Sequence, residues 1–128
     1  MSSPESLRGV VLFGHGSRDP QWHAPLQAVA RRVAAQSPAL HVTCAFLELT
    51  TPDLATAVQT LVNAGVAHIR VLPLFLGVGR HAREDLPRLV AEVQDQWPNI
   101  SIDLRRAVGT DSRVIDLLAQ LAVESDSP

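Results

Sequence analysis

Three short segments gather residue types that bind metals or move protons. Gly14-His15-Gly16-Ser17-Arg18 sets an imidazole between two glycines, which leave it poorly packed and free the backbone to project it. Phe46-Leu47-Glu48-Leu49 holds one carboxylate among apolar neighbours, and Gly77-Val78-Gly79-Arg80-His81 brings a second imidazole beside a guanidinium. Taken singly, each has a plainer alternative: His15 as a turn histidine bonded to nearby backbone, Glu48 as a helix cap or a solvent-facing acid. Taken together, two imidazoles and a carboxylate suit Co²⁺, Ni²⁺, Fe²⁺ or Zn²⁺, with coordination positions left open for a substrate. The one cysteine, Cys44, cannot build a Cys-rich zinc site or hold an iron–sulfur cluster, so any metal must use His, Asp or Glu.

These segments matter only if the chain carries them to one place. Gly9 to Phe13 is an apolar run too short for a helix and without polar alternation, which predicts a buried strand ending at Gly14. From Asp19-Pro20 onward, Trp22, Leu26, Val29, Ala30 and Val33 follow the helical period, and the helix should end near Ser37-Pro38. His41 to Leu47 predicts a second strand. Pro52-Asp53 opens a second helix, which Asn63-Ala64-Gly65 stops. His68 to Leu74 is a third strand and Ile100 to Leu104 a fourth. Pro87 belongs in a first turn, so the third helix is expected to begin near Asp85 or Leu86, with His81 in the loop before it. Thr110-Asp111-Ser112 offers caps for a fourth helix ending near Val123.

Strands alternating with helices through short loops give an α/β fold: a four-stranded parallel sheet with helices on both faces, a flavodoxin-like half domain. One domain over residues 1–128 is expected, with 1–7 and 124–128 flexible. Ligands of such sheets lie beyond the carboxyl ends of the strands, where His15, Glu48 and His81 converge. His41 and His68 open strands at the opposite end and read as surface or turn residues. His23 lies on the correct side but is a weaker candidate, and Cys44, mid-strand, reads as a small buried apolar residue.

Composition removes several functions. The longest apolar run, Val71 to Gly79, is interrupted by a proline and two glycines and falls short of the roughly 18 residues of a membrane span. Met1 to Arg8 lacks the apolar block of a secretory signal, so the cytoplasm is expected. The formal net charge of −2 gives no field to attract a nucleic-acid backbone, and without tyrosine there is little to stack bases on. Every basic residue is arginine, whose fork suits carboxylate or phosphate, although GC-rich codon usage produces the same bias. Neither glycine loop fits a nucleotide-phosphate motif, and no nucleophile elbow surrounds Ser17. A histidine phosphohydrolase with His15 as phosphoryl acceptor is disfavoured because Gly14, not an arginine, precedes it.

Leu12-Phe-Gly-His-Gly-Ser-Arg-Asp-Pro20, Ala45-Phe-Leu-Glu-Leu-Thr-Thr-Pro52 and the stretch from Leu72 through His81 to Pro87 resemble the small sirohydrochlorin cobaltochelatases and related class II chelatases. The resemblance spans nearly the whole chain. It departs from the family pattern at Arg80 and at Ala107-Val108-Gly109. It implies insertion of a divalent metal into sirohydrochlorin or a related tetrapyrrole, with His15 and His81 handling the metal and Glu48 as an accessory acid. The metal, Co²⁺ first and Ni²⁺ or Fe²⁺ otherwise, is then a substrate, and no tightly bound cofactor is expected. Ser17, Arg18, Arg80 and Arg83 are expected to contact the carboxylate-rimmed tetrapyrrole, with Arg105 and Arg106 as second candidates. A homodimer with a shared cleft is expected, because one sheet edge covers only one face of a flat disc. The alternative is a non-catalytic Co²⁺ or Ni²⁺ carrier using the same histidines.

Overall fold

The apolar run at Gly9 to Phe13 is covered by helices on both faces of the sheet, which is why it needs no polar alternation. The structure, a computed structural model, describes residues 7–125. Strand β1 (Leu7–Gly14) is followed by a 3₁₀ turn (Pro20–His23), α1 (Ala24–Gln36), β2 (His41–Phe46), α2 (Leu54–Asn63) and β3 (Val66–Pro73). Then come α3 (Arg80–Gln96), β4 (Ser101–Leu104), a short 3₁₀ turn (Val108–Thr110) and α4 (Ser112–Val123). All pairings are parallel and the strand order is β2-β1-β3-β4. Leu7, expected to be flexible, opens β1 opposite Val66, and Glu124 closes α4 by donating its N–H to the Gln120 carbonyl. Residues 1–6 and 126–128, also expected to be flexible, lie outside the described residues.

The chain leaves β1 in one direction to reach β2 and then crosses back over β1 to reach β3, so α1 and α2 lie on opposite faces. Helices α2 and α3 cover one face. Leu54, Ala57, Val58 and Leu61 of α2, with Ala82, Leu86, Val90 and Val93 of α3, are buried at helical spacing. Together with Val11, Phe13, Ala45, Ile69 and Val71 they form the core. Asp53 caps α2 by accepting from the Thr56 N–H at 2.9 Å, and that bond holds its carboxyl below the usual range.

On the other face α1 packs over β2 and β1, and Trp22, read from the sequence as part of that helix's apolar side, is 72% exposed in the preceding turn. Cys44 is only half-buried there, though enough to push its thiol pKa up. Helix α4 packs chiefly on the turn before it and buries none of its residues.

Helix α3 corrects the sequence reading. It starts at Arg80, not near Asp85, so His81 stands in its first turn rather than in a loop. The Arg83 N–H already donates to the Gly79 carbonyl at 3.0 Å. Pro87 sits inside the helix but on its exposed side, where the carbonyl it leaves without a donor faces water. Burial of Ala82 one turn before Leu86 continues the apolar stripe upstream and outweighs the proline's preference for a helix start.

Candidate functional site

The loops after β1 and β3 leave neighbouring strands toward opposite faces of the sheet, and the carboxyl edge between them is the crevice where such folds bind ligands. Beyond Gly14 the β1–β2 pairing continues into the loops: the Leu47 N–H donates to the Gly14 carbonyl at 2.9 Å and the Glu48 N–H to the His15 carbonyl at 3.1 Å. That pairing sets Glu48 beside His15 along the edge. Gly16 makes the approach possible. Its φ is +94°, and a Cβ there would run into the Glu48 carbonyl. Leu49 follows at φ 68°, a left-handed conformation that costs a non-glycine residue about 1–2 kcal/mol.

The His15 side chain is exposed, and its ring stacks on Phe75 with centroids 4.1 Å apart and planes at 26°. Phe75 is 2% exposed and lies 6.2 Å from Phe13, so the first residues after β3 form a floor beneath the imidazole. His81 and Glu48 are exposed as well. Among the described residues, no three of His, Cys, Asp and Glu come close enough to hold one ion. The structure thus brings His15, Glu48 and His81 to one edge without closing them into a ligand cluster.

The remaining candidates divide. The Ser17 hydroxyl oxygen accepts from the Asp19 N–H at 3.0 Å, and the Asp19 carboxylate accepts from the Gln21 N–H at 3.0 Å, so Ser17 shapes the turn into α1. Arg80 lies 3.6 Å from Glu84 in an exposed pair, whereas Arg18 and Arg83 are exposed and make no ion pair among the described residues. His23 rests on Phe46 with ring centroids 4.6 Å apart, and its buried Nε2 has no hydrogen-bond partner. His41 and His68 sit toward the amino ends of β2 and β3, across the sheet from the site.

Sequence reasoning did not count Trp22 or Leu49 as site residues. Trp22, Leu49 and Leu76 are 72%, 55% and 68% exposed, one on each of the segments that follow β1, β2 and β3. Of the Phe75-Leu76 pair only Phe75 is buried. The available signal was position: Leu49 adjoins Glu48, Leu76 precedes His81 by five residues and Trp22 follows His15 by seven, and a large apolar side chain at a ligand-binding edge has a use besides packing.

The fold is shared with tetrapyrrole chelatases. The structure of the sirohydrochlorin chelatase SirB from Bacillus subtilis subspecies spizizenii in complex with cobalt is similar over 88% of this chain and 48% of that one, with TM-score 0.75 and 29% identity. The structure of a CbiX protein from Marinobacter aquaeolei VT8 is similar over 90% of this chain and 93% of its own, with TM-score 0.77 and 27% identity. The CbiX family model matches residues 9–125, and the chain belongs to that family. A sirohydrochlorin cobaltochelatase of Methanocaldococcus jannaschii is 26% identical across 91% of this chain and 98% of its own length. A sirohydrochlorin ferrochelatase of Bacillus subtilis is 29% identical across 84% of this chain, which spans only 41% of that relative.

Proposed function

We propose that this protein inserts a divalent metal ion into sirohydrochlorin or a closely related tetrapyrrole, with cobalt the first metal to test and iron or nickel the alternatives. The observation that carries the reading is the stacked, exposed imidazole of His15 at a sheet edge that also bears His81, Glu48 and three exposed apolar side chains. Relatives named for both cobalt and iron insertion support it. They favour insertion over the carriage-only alternative.

The reaction exchanges two pyrrole N–H protons for one metal ion. Imidazoles near neutrality replace some of the water bound to the incoming ion and accept protons as the ion passes to the ring nitrogens. Glu48 serves as a further proton acceptor. Trp22, Leu49 and Leu76 cover the apolar face of the macrocycle, while Arg18, Arg80 and Arg83 meet its carboxylates. No helix among the described residues is long and apolar enough to cross a membrane, and the cytoplasm is the proposed compartment. The test is a visible-absorbance assay with sirohydrochlorin and Co²⁺ under anaerobic conditions. Metallated product forming with multiple turnovers is expected; metal binding without product would favour the carrier.

The working unit is proposed to be a homodimer with its cleft between two such edges. Among the described residues no three metal-binding side chains gather in one chain, and a flat disc needs cover on both faces. Sedimentation at micromolar concentration should then give roughly twice the 13.8 kDa chain mass. A monomer with full activity at dilutions where no dimer persists would refute the shared cleft.

A further inference from the structure

Beside the histidine edge, on the face that α1 leaves uncovered, a cavity of about 930 Å³ separates β3 and β4 from the start of α4. Its lining holds four arginines, Arg70, Arg105, Arg106 and Arg113, against one acid, Asp111. Asp111 is already committed: Arg113 grips it at 2.7 Å and, with its own backbone N–H, holds the carboxyl down to about 2. Arg70 and Arg105 share one further carboxylate, Asp103, at 3.8 and 3.7 Å. Arg106 is exposed and makes no ion pair among the described residues. Two acids among four guanidinium groups leave a surplus of two positive charges around one concavity.

The cavity is also joined to the site. The Gly109 N–H donates to the Phe75 carbonyl at 3.0 Å, and a Cβ on Gly109 would run into the Leu76 carbonyl, so the cavity's 107–110 wall is pressed against the loop that carries the His15 floor. The Arg105 N–H, donating to the Val71 carbonyl at 2.9 Å, extends the sheet by one residue and fixes where Arg105 leaves it.

We propose that this cavity is a carboxylate-binding subsite, in which Arg105 and Arg106 hold acidic side chains on the rim of the macrocycle whose centre lies over His15 and His81. The inference rests on the function proposed above and adds to the Arg18, Arg80 and Arg83 contacts a second set on the β4–α4 side of the edge. Arg105 only shares Asp103 with Arg70 and Arg106 has no acid among the described residues, so both guanidinium forks can accept a carboxylate, the anion that fits them in paired hydrogen bonds. Such contacts act on binding before and during the reaction alike, so they set KM rather than kcat.

The experiment titrates metal-free sirohydrochlorin into the full chain, following the macrocycle's absorbance at several salt concentrations. The double variant Arg105→Ala/Arg106→Ala is expected to bind about tenfold more weakly and with a flatter salt dependence. Its kcat for cobalt insertion and its calorimetric affinity for Co²⁺ alone should match those of the wild type. Arg31→Ala/Arg32→Ala, which removes the same charge from exposed positions on α1, should change neither binding nor turnover. Unchanged macrocycle affinity in the Arg105/Arg106 variant overturns the subsite while leaving chelatase activity intact. Equal loss in both double variants also overturns it, because net charge would then be the cause. Normal macrocycle binding by the wild type without metallation sinks the insertion reading alone, and a tenfold loss in the variant then still establishes the subsite.

Discussion

Replacement of His15 by alanine is expected to slow cobalt insertion by about 10²- to 10⁴-fold, the range over which a positioned proton acceptor accelerates a reaction, with the far-UV circular dichroism unchanged. His81→Ala should fall in the same range. Neither side chain is part of the core: both are exposed, and the His15 ring makes one aromatic contact, the stack on Phe75. Losing that stack costs about 0.5–1.5 kcal/mol, too little to unfold a domain of ordinary stability. His81 stands in the first turn of α3, where alanine is the better helix former. Glu48→Gln should slow the reaction less, because water or a second imidazole can take the proton it would accept. Near-full turnover of His15→Ala at saturating metal would place the chemistry elsewhere, and collapse of its circular dichroism would make His15 a structural residue.

How much of this was legible in the sequence follows from which forces act locally. The strands are legible because β1, covered on both faces, is apolar almost throughout, while Ile69-Arg70-Val71 in β3 and Ile102-Asp103-Leu104 in β4 alternate as a strand with one open face does. Positions of His15 and Glu48 follow from them, since each lies just beyond the end of a strand and β1 and β2 end together at Gly14 and Phe46. The start of α3 is not legible, because Pro87 carries a strong local signal whereas the burial of Ala82 against the core is a tertiary fact. Trp22 misleads for a related reason: its spacing to Leu26 is helical, but Asp19 caps a 3₁₀ turn there and sends the indole outward. The fourth helix shows the limit of periodicity. Ile115, Leu118 and Leu121 are spaced as a buried face should be, yet they are 49%, 42% and 53% exposed in the single chain, and spacing cannot say which surface a face is meant for.

Gly16→Ala is expected to be among the most damaging small substitutions in the chain, lowering stability by about 2–4 kcal/mol and insertion by about a hundredfold. The backbone at Gly16 is left-handed at φ +94°, which alone costs an alanine about 1–2 kcal/mol. The added methyl also meets the Glu48 carbonyl, a backbone atom that cannot rotate away as a side chain would. Either the His15 turn or the Glu48 loop must move. The bond that registers them, Glu48 N–H to the His15 carbonyl at 3.1 Å, is the first to break. Displacing a reactive group by about an ångström is enough to lose about two orders of magnitude in rate. The measurement is a thermal melt paired with turnover at a temperature where the variant remains folded, so that lost activity is not lost protein. Gly77→Ala supplies the contrast: its Cβ would meet nothing within 4 Å and its φ lies outside the left-handed range. That variant should keep its melting temperature or gain slightly, since alanine narrows the unfolded ensemble. Equal behaviour of the two variants would mean that the loop carrying His15 is soft enough to absorb a methyl group, and that the imidazole is positioned by its stack on Phe75 rather than by the turn.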